Sequence, residues 1–262
     1  MAQRLDLIRL KPATVIEWWG HTGGSGALLE AACPKAHRIV VEPNDALLQR
    51  SRGGAGAPWW SARRWAAAIE VRRDDPAPGS AQLLWANMML HAVPDPQRLL
   101  ARWQQLLAVD GYLMFSCLGP DTLRELRALY RRLGWPPQAQ DFIDMHDLGD
   151  MMVQSGFADP VMDQETLTLT WESPQALLAE LRSIGGNASP ARYRGLRTPS
   201  WRDRLCTELG SLAGPDGRLR LSFEIVYGHA FKAAPRAPAT GQTTVALDDM
   251  RAMVRAARAP RR

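Results

Sequence analysis

Gln82-Leu83-Leu84-Trp85-Ala86 reads as a buried strand, Asp95-Pro96 opens a helix running to about residue 109, and Asp110-Gly111 turns into a second buried strand, Tyr112-Leu113-Met114-Phe115-Ser116. The helix start has a physical cause. An aspartate cap accepts backbone N–H groups of the first turn, and proline lacks an N–H that would go unpaired there. Uninterrupted apolar strands joined by a helix imply a parallel sheet covered on both faces. The pattern extends upstream, with strands at 14–18 and 37–41, a short helix at 24–33, a helix at 45–51 capped by Asn44, and a weaker strand at 65–71. Downstream it gives helices at 120–133 and 144–155, a long strand at 161–171, a helix at 173–184, an irregular Arg- and Gly-rich stretch at 185–199, a short helix at 201–212 and a strand at 219–227. The expectation is an α/β, doubly wound, mostly parallel seven-stranded sheet, with helical insertions after strands 5 and 6.

The chain has 262 residues and is 46% hydrophobic, which supports a sizeable core. No apolar run approaches the ~18 residues of a membrane span, and residues 1–12 lack the apolar segment of a signal peptide. Cys33, Cys117 and Cys206 are scattered singly, neither a disulfide framework nor a metal set. These features predict a cytoplasmic protein with no metal and no membrane partner. The net charge of +5 suggests nucleic acid at first sight, but its position argues otherwise. From Lys232 onward there are seven basic and two acidic residues, so residues 1–231 carry 25 of each sign. The reading is a neutral domain over 1–232 and a basic, disordered tail over 233–262, with no nucleic-acid partner.

In an open parallel sheet, ligands bind beyond the carboxyl ends of the strands. That rule selects the loop Glu17-Trp18-Trp19-Gly20-His21-Thr22-Gly23-Gly24-Ser25-Gly26, Glu42 at the end of strand two, the loop after strand three, and Asn87-Met88-Met89-Leu90-His91. A glycine loop followed by an acid suits a nucleoside, whose ribose hydroxyls an acid accepts in pairs. A tight turn with no ligand explains the glycines equally well.

The stretch 82–96 with 110–116 resembles the fourth and fifth strands of class I S-adenosylmethionine (SAM) methyltransferases. Phe115-Ser116-Cys117-Leu118-Gly119-Pro120-Asp121-Thr122-Leu123-Arg124-Glu125-Leu126-Arg127, Asp144-Met145-His146-Asp147-Leu148, Asp216-Gly217-Arg218-Leu219 and Phe223-Glu224-Ile225-Val226-Tyr227-Gly228-His229 resemble the malonyl-acyl-carrier-protein O-methyltransferases of biotin synthesis. The resemblance implies a Rossmann-like fold, SAM as cofactor, and an acyl carrier protein or other acyl-thioester as substrate. Glu17, Gly20, Gly23, Glu42 and Asn87 are then the cofactor candidates, and Arg124, His91, Tyr227 and His229 the catalytic ones. Arg124 and Arg127 suit a carboxylate clamp, because guanidinium pairs bidentately with carboxylate. A solvated helix face explains them too, as surface polarity explains His146 and strand packing explains Tyr227 and His229.

The cofactor half departs from the family pattern. Where the family has glycines at the second, fourth and sixth positions after the acid, this chain has Trp19, His21 and Gly23. A side chain at positive φ costs about 1–2 kcal/mol, so Gly20 and Gly24 are expected to restore the turn in a shifted register. Trp59, Trp60 and Trp65 fall in the same half, as a lid or a filling for the cleft. These departures leave open an alternative function, a pseudo-methyltransferase acting as a binding or assembly factor.

Overall fold

Alternate residues of the central strands carry the two faces of the molecule. In the computed structural model, which describes residues 1, 5, 11–55 and 69–234, Val15 and Ile16 are both fully buried yet belong to different cores. Ile16, Leu84, Leu113 and Phe115 pack beneath Leu100, Trp103, Leu148 and Met152. Val15, Leu83, Trp85, Tyr112 and Met114 pack on the opposite face against Leu29. A strand buried on both sides has no polar face to alternate with, which is why its sequence is a continuous apolar run.

The elements in chain order are β1 (Thr14–Trp18), α1 (Gly20–Gly23), α2 (Gly26–Ala32), β2 (His37–Val41), α3 (Asp45–Ala55), β3 (Ile69–Arg72), β4 (Ala81–Ala86), a 3-10 turn (Leu90–Ala92), α4 (Pro96–Leu106), β5 (Leu107–Leu118), α5 (Arg124–Arg132), α6 (Met145–Gln154), β6 (Phe157–Trp171), α7 (Pro174–Ser183), α8 (Pro199–Gly210) and β7 (Leu219–Lys232). The sheet order is β3-β2-β1-β4-β5-β7-β6. β1 to β5 pair in parallel, and β7 runs antiparallel between β5 and β6. The seven-stranded, mostly parallel sheet expected from sequence is present, with α5 and α6 after β5 and α7 and α8 after β6. The strand order reverses between β1 and β4, where such sheets form a crevice. A third core joins α5, α7 and α8 to β7 through Leu126, Leu177, Leu205, Leu209, Leu221 and Phe223.

The helix starts follow the sequence. Asp95 accepts the Arg98 N–H at 2.9 Å, Asp144 the His146 N–H at 2.7 Å and Ser173 the Ala176 N–H at 3.2 Å, each cap contributing about 1 kcal/mol. Several boundaries differ from expectation. α4 stops at Leu106 because Leu107 already pairs with Ala81, and the expected Asp110-Gly111 turn is an irregularity within β5, with Asp110 at φ 63°. The helix expected from residue 120 begins at Arg124, after Leu123 adopts φ 58°. β6 starts at Phe157, across a bulge at Asp159, and β7 continues to Lys232. Among the described residues, no helix is long and apolar enough to cross a membrane. Trp59, Trp60, Trp65 and the tail from residue 235 lie outside the described residues.

Candidate active site

The β1 loop makes its turn with Trp19, Gly20 and Gly24. Trp19 itself adopts the left-handed conformation, φ 53°, with its N–H on the Val41 carbonyl at 2.8 Å and its carbonyl accepting from Gly23 at 3.0 Å. The indole packs against the main core, which offsets part of the cost of that φ. His21 is helical and therefore unstrained. Gly20 is required for space: a Cβ there would lie 2.8 Å from Val40 Cγ1 and 2.9 Å from Glu17 Cδ. Gly24, at φ 61°, closes the short helix. Gly20 and Gly24 thus both serve the turn, as expected from sequence, while the further positive φ falls on Trp19, which the expectation did not include.

Two buried carboxylates stand behind this loop. Arg38 Nη2 donates to Glu17 Oε2 at 2.6 Å, a buried ion pair between β1 and β2. Glu42 Oε1 accepts from the His21 N–H and the Ser51 hydroxyl, each at 2.7 Å. Glu42 Oε2 is buried with no hydrogen-bond partner, as is Glu17 Oε1. A buried carboxylate oxygen without a donor costs several kcal/mol, so such an atom points to a ligand. Glu42 lines a cavity of about 540 Å³ with Trp18, Trp19, Val41, Arg73, Asp74 and Arg102, among others. Arg102 lies 4.9 Å over the Trp18 ring. Gly23 and Asn87 tie the loops together behind this wall. Asn87 Nδ2 donates to the Gly23 carbonyl at 2.7 Å, and the Ser116 hydroxyl donates to Asn87 Oδ1 at 2.8 Å.

A second cavity of about 350 Å³ opens beside the first, and both share Val93 and Pro94 as a wall. Its lining includes Leu90, His91, Cys117, Phe142, Ile143 and Leu148. His91 Nδ1 accepts the Leu118 N–H at 3.3 Å, the His91 carbonyl accepts from Gln140, and the ring meets Phe142 edge-on at 5.9 Å. Burial pushes the His91 imidazole down to about 4, so it is neutral near pH 7, with Nε2 carrying the proton. Burial likewise pushes the Cys117 thiol up to about 12, leaving it unreactive.

The remaining candidates are dispersed. Arg124 is exposed and lines neither cavity, facing Glu125 at 3.3 Å and Asp121 at 3.9 Å. Arg127 is the half-buried one, and it acts as a latch. It donates to the carbonyls of Thr122 at 3.2 Å and Gln140 at 2.9 Å, faces Asp141 at 3.3 Å, and lies 5.4 Å over Phe142. Tyr227 donates its hydroxyl to Glu165, and His229 sits on β7 between Met114 and Val161. His146 is at the surface, paired with Asp144. Sequence reasoning missed Arg73 and Arg102 in the cavity wall. It also missed Glu224, which accepts the Asp121 N–H at 2.8 Å and locks the loop after β5.

A methyltransferase domain model matches residues 8–159. The malonyl-[acyl-carrier protein] O-methyltransferase of Laribacter hongkongensis is 38% identical over 242 residues, covering 90% of this chain and 81% of that protein. The enzyme of the same name from Gallionella capsiferriformans is 36% identical, covering 94% of this chain and 86% of that one. The chain belongs to this methyltransferase family. In fold it is similar to a putative methyltransferase from Bacillus halodurans, at a TM-score of 0.59 and 10% identity, covering 89% of this chain and 99% of that chain. The cofactor of the family is SAM. The first cavity fits it: the orphaned Glu42 oxygen suits ribose hydroxyls, and the volume lies in the ordinary range for a small ligand. Glu42, with Trp18 and Trp19 as apolar walls, would hold the nucleoside. The binding-factor alternative gains no support from a cavity that retains its acceptor.

Proposed function

We propose that the chain methylates the free carboxylate of a malonyl thioester carried on an acyl carrier protein. The observation that carries this reading is the pair of cavities meeting at Val93-Pro94, one walled by Glu42 and the other by His91. Neighbouring cavities with shared lining residues set two bound molecules side by side, and alignment then supplies much of the acceleration. SAM, when bound, supplies a methyl group on a cationic sulfur, already activated for displacement. A malonyl carboxylate is ionised near pH 7 and needs no general base, so neither His91 nor Asp141 in the lining of the second cavity has to take a proton. The neutral His91 can donate from Nε2 to an acceptor oxygen, while Leu90, Phe142, Ile143 and Leu148 keep water away. Arg127 holds the 140–142 segment that closes this wall.

The test is mass spectrometry of malonyl-carrier protein after incubation with the chain and SAM. One added methylene is expected, with none on acetyl-carrier protein, which has no free carboxylate. A methylated acetyl form, or an unmodified malonyl form, would contradict the proposal.

A further inference from the structure

Charge is segregated along the second half of the chain. Residues 133–181 contain nine acids and no lysine or arginine, whereas residues 182–204 contain six arginines and one acid, Asp203. The arginines span the end of α7, the connecting segment and the start of α8. Both helices bury leucines in one core, Leu177 from α7 with Leu205 and Leu209 from α8, which turns the intervening arginines outward. Among the described residues, Arg182, Arg194 and Arg202 have no ion-pair partner, and Arg192 bonds to the Ser189 carbonyl at 3.1 Å. Arginines left unpaired in such number keep their full field for an external anion.

The segment is also built rather than loose. The Arg197 guanidinium lies 3.8 Å from the Tyr193 ring centre and 4.3 Å from that of Trp201. Trp201 meets Trp135 at 5.0 Å, and Arg204 lies 5.6 Å over Trp135. Leu196 stands out at 95% exposure amid the arginines, giving an apolar point within a cationic field. The same segment reaches the second cavity. Asn187 Nδ2 donates to the Pro137 carbonyl at 2.7 Å, Ser189 is buried, and Ala188 between them lines the cavity with His91.

We infer that the arginine surface over 182–204 docks the acidic face of the carrier protein and delivers its acyl arm past Ala188 into the second cavity. This rests on the proposed function and assigns it a partner surface. Charge complementarity selects the occupant: an acidic protein matches the field, and a rim on an acyl-sized cavity suits a protein that presents a tethered thioester. The basic tail, also cationic in sequence, lies outside the described residues from residue 235 and is the rival source of attraction.

The experiment compares the full chain with its R192E/R194E/R202E form, using malonyl-carrier protein and malonyl-pantetheine at saturating SAM. The KM for the carrier protein is expected to rise by about tenfold or more, with malonyl-pantetheine kinetics unchanged. Raising salt should raise the wild-type KM for the carrier and leave the variant's nearly flat. An unchanged carrier KM overturns the inference, as does a parallel loss on both substrates, or a KM rise on deleting residues 235–262 that the triple variant does not show. Binding of labelled carrier protein without turnover is measured alongside. If the wild type methylates neither substrate yet binds the carrier, and the triple variant does not bind it, the proposed reaction fails while the docking surface stands. Equal loss of a single-stranded RNA oligonucleotide that binds as tightly as the carrier would instead assign the surface to nucleic acid and overturn it.

Discussion

The β1–β3 half and the half that follows β5 treat buried charge in opposite ways. Before β4, Glu17, Arg38, Glu42 and Arg72 each keep a buried polar atom without a partner. After β5, Glu224 accepts the Asp121 N–H, Glu125 accepts both the N–H and hydroxyl of Ser222, and Arg127 spends its donors on Thr122, Gln140 and Asp141. Among the described residues, every charged side chain with such an orphaned atom lies in the first half. The second half leaves only neutral atoms unpartnered, Gln138 Nε2 and Trp201 Nε1 among the described residues, whereas the first keeps charged groups open for what binds there. The difference separates cofactor capture from the shaping of the acceptor cavity.

The largest effect should fall on that first half. Glu42→Ala removes the orphaned acceptor and should weaken SAM binding roughly 100-fold, about 3 kcal/mol. A small change would mean the orphan is filled by something other than the cofactor.

Acid stability tests the boundary between the halves. The folded His91 is held at about 4, below its ordinary value of 6.5. Between those values the unfolded chain binds more protons, so stability rises with pH and is lost as pH falls from about 6.5 to about 4. Urea unfolding at pH 7 and pH 4.5 should show the wild type losing about 2–3 kcal/mol more than His91→Gln. Parallel losses would mean that His91 is not buried against Leu118 and Phe142.

Arg127→Ala frees the 140–142 segment and should raise the acceptor KM about tenfold, worth 1–2 kcal/mol, while SAM affinity stays constant. Equal damage to both would erase the distinction between the halves. The smallest effect concerns Trp19. Because its backbone is left-handed, Trp19→Gly should be about 1 kcal/mol more stable than Trp19→Ala in urea unfolding. Equal stability would argue that the turn has moved.

Strand identity was legible wherever burial on both faces makes a strand continuously apolar, as in β4 and β5. Strand ends were not, because pairing decides them. Leu107 joins β5 through Ala81, and Phe157 joins β6 through Lys232, contacts invisible in the local pattern. In the site, Glu42 could be found from its place after β2. The latch at Arg127 could not, since its partners are carbonyls, which every residue carries. The Glu224 lock spans about a hundred residues and leaves no local signal. Trp19 taught a different lesson. A residue type unfavourable for the turn proved compatible with it, because packing against the core offsets part of a cost of about 1–2 kcal/mol.

The central claim is that the first half remains a working SAM site despite Trp19 and His21. Isothermal titration of the full chain with SAM, beside Glu42→Ala, tests it most directly. One site of micromolar affinity, lost or greatly weakened in the variant, is the predicted result. No heat at millimolar SAM, or equal binding by both proteins, would contradict it.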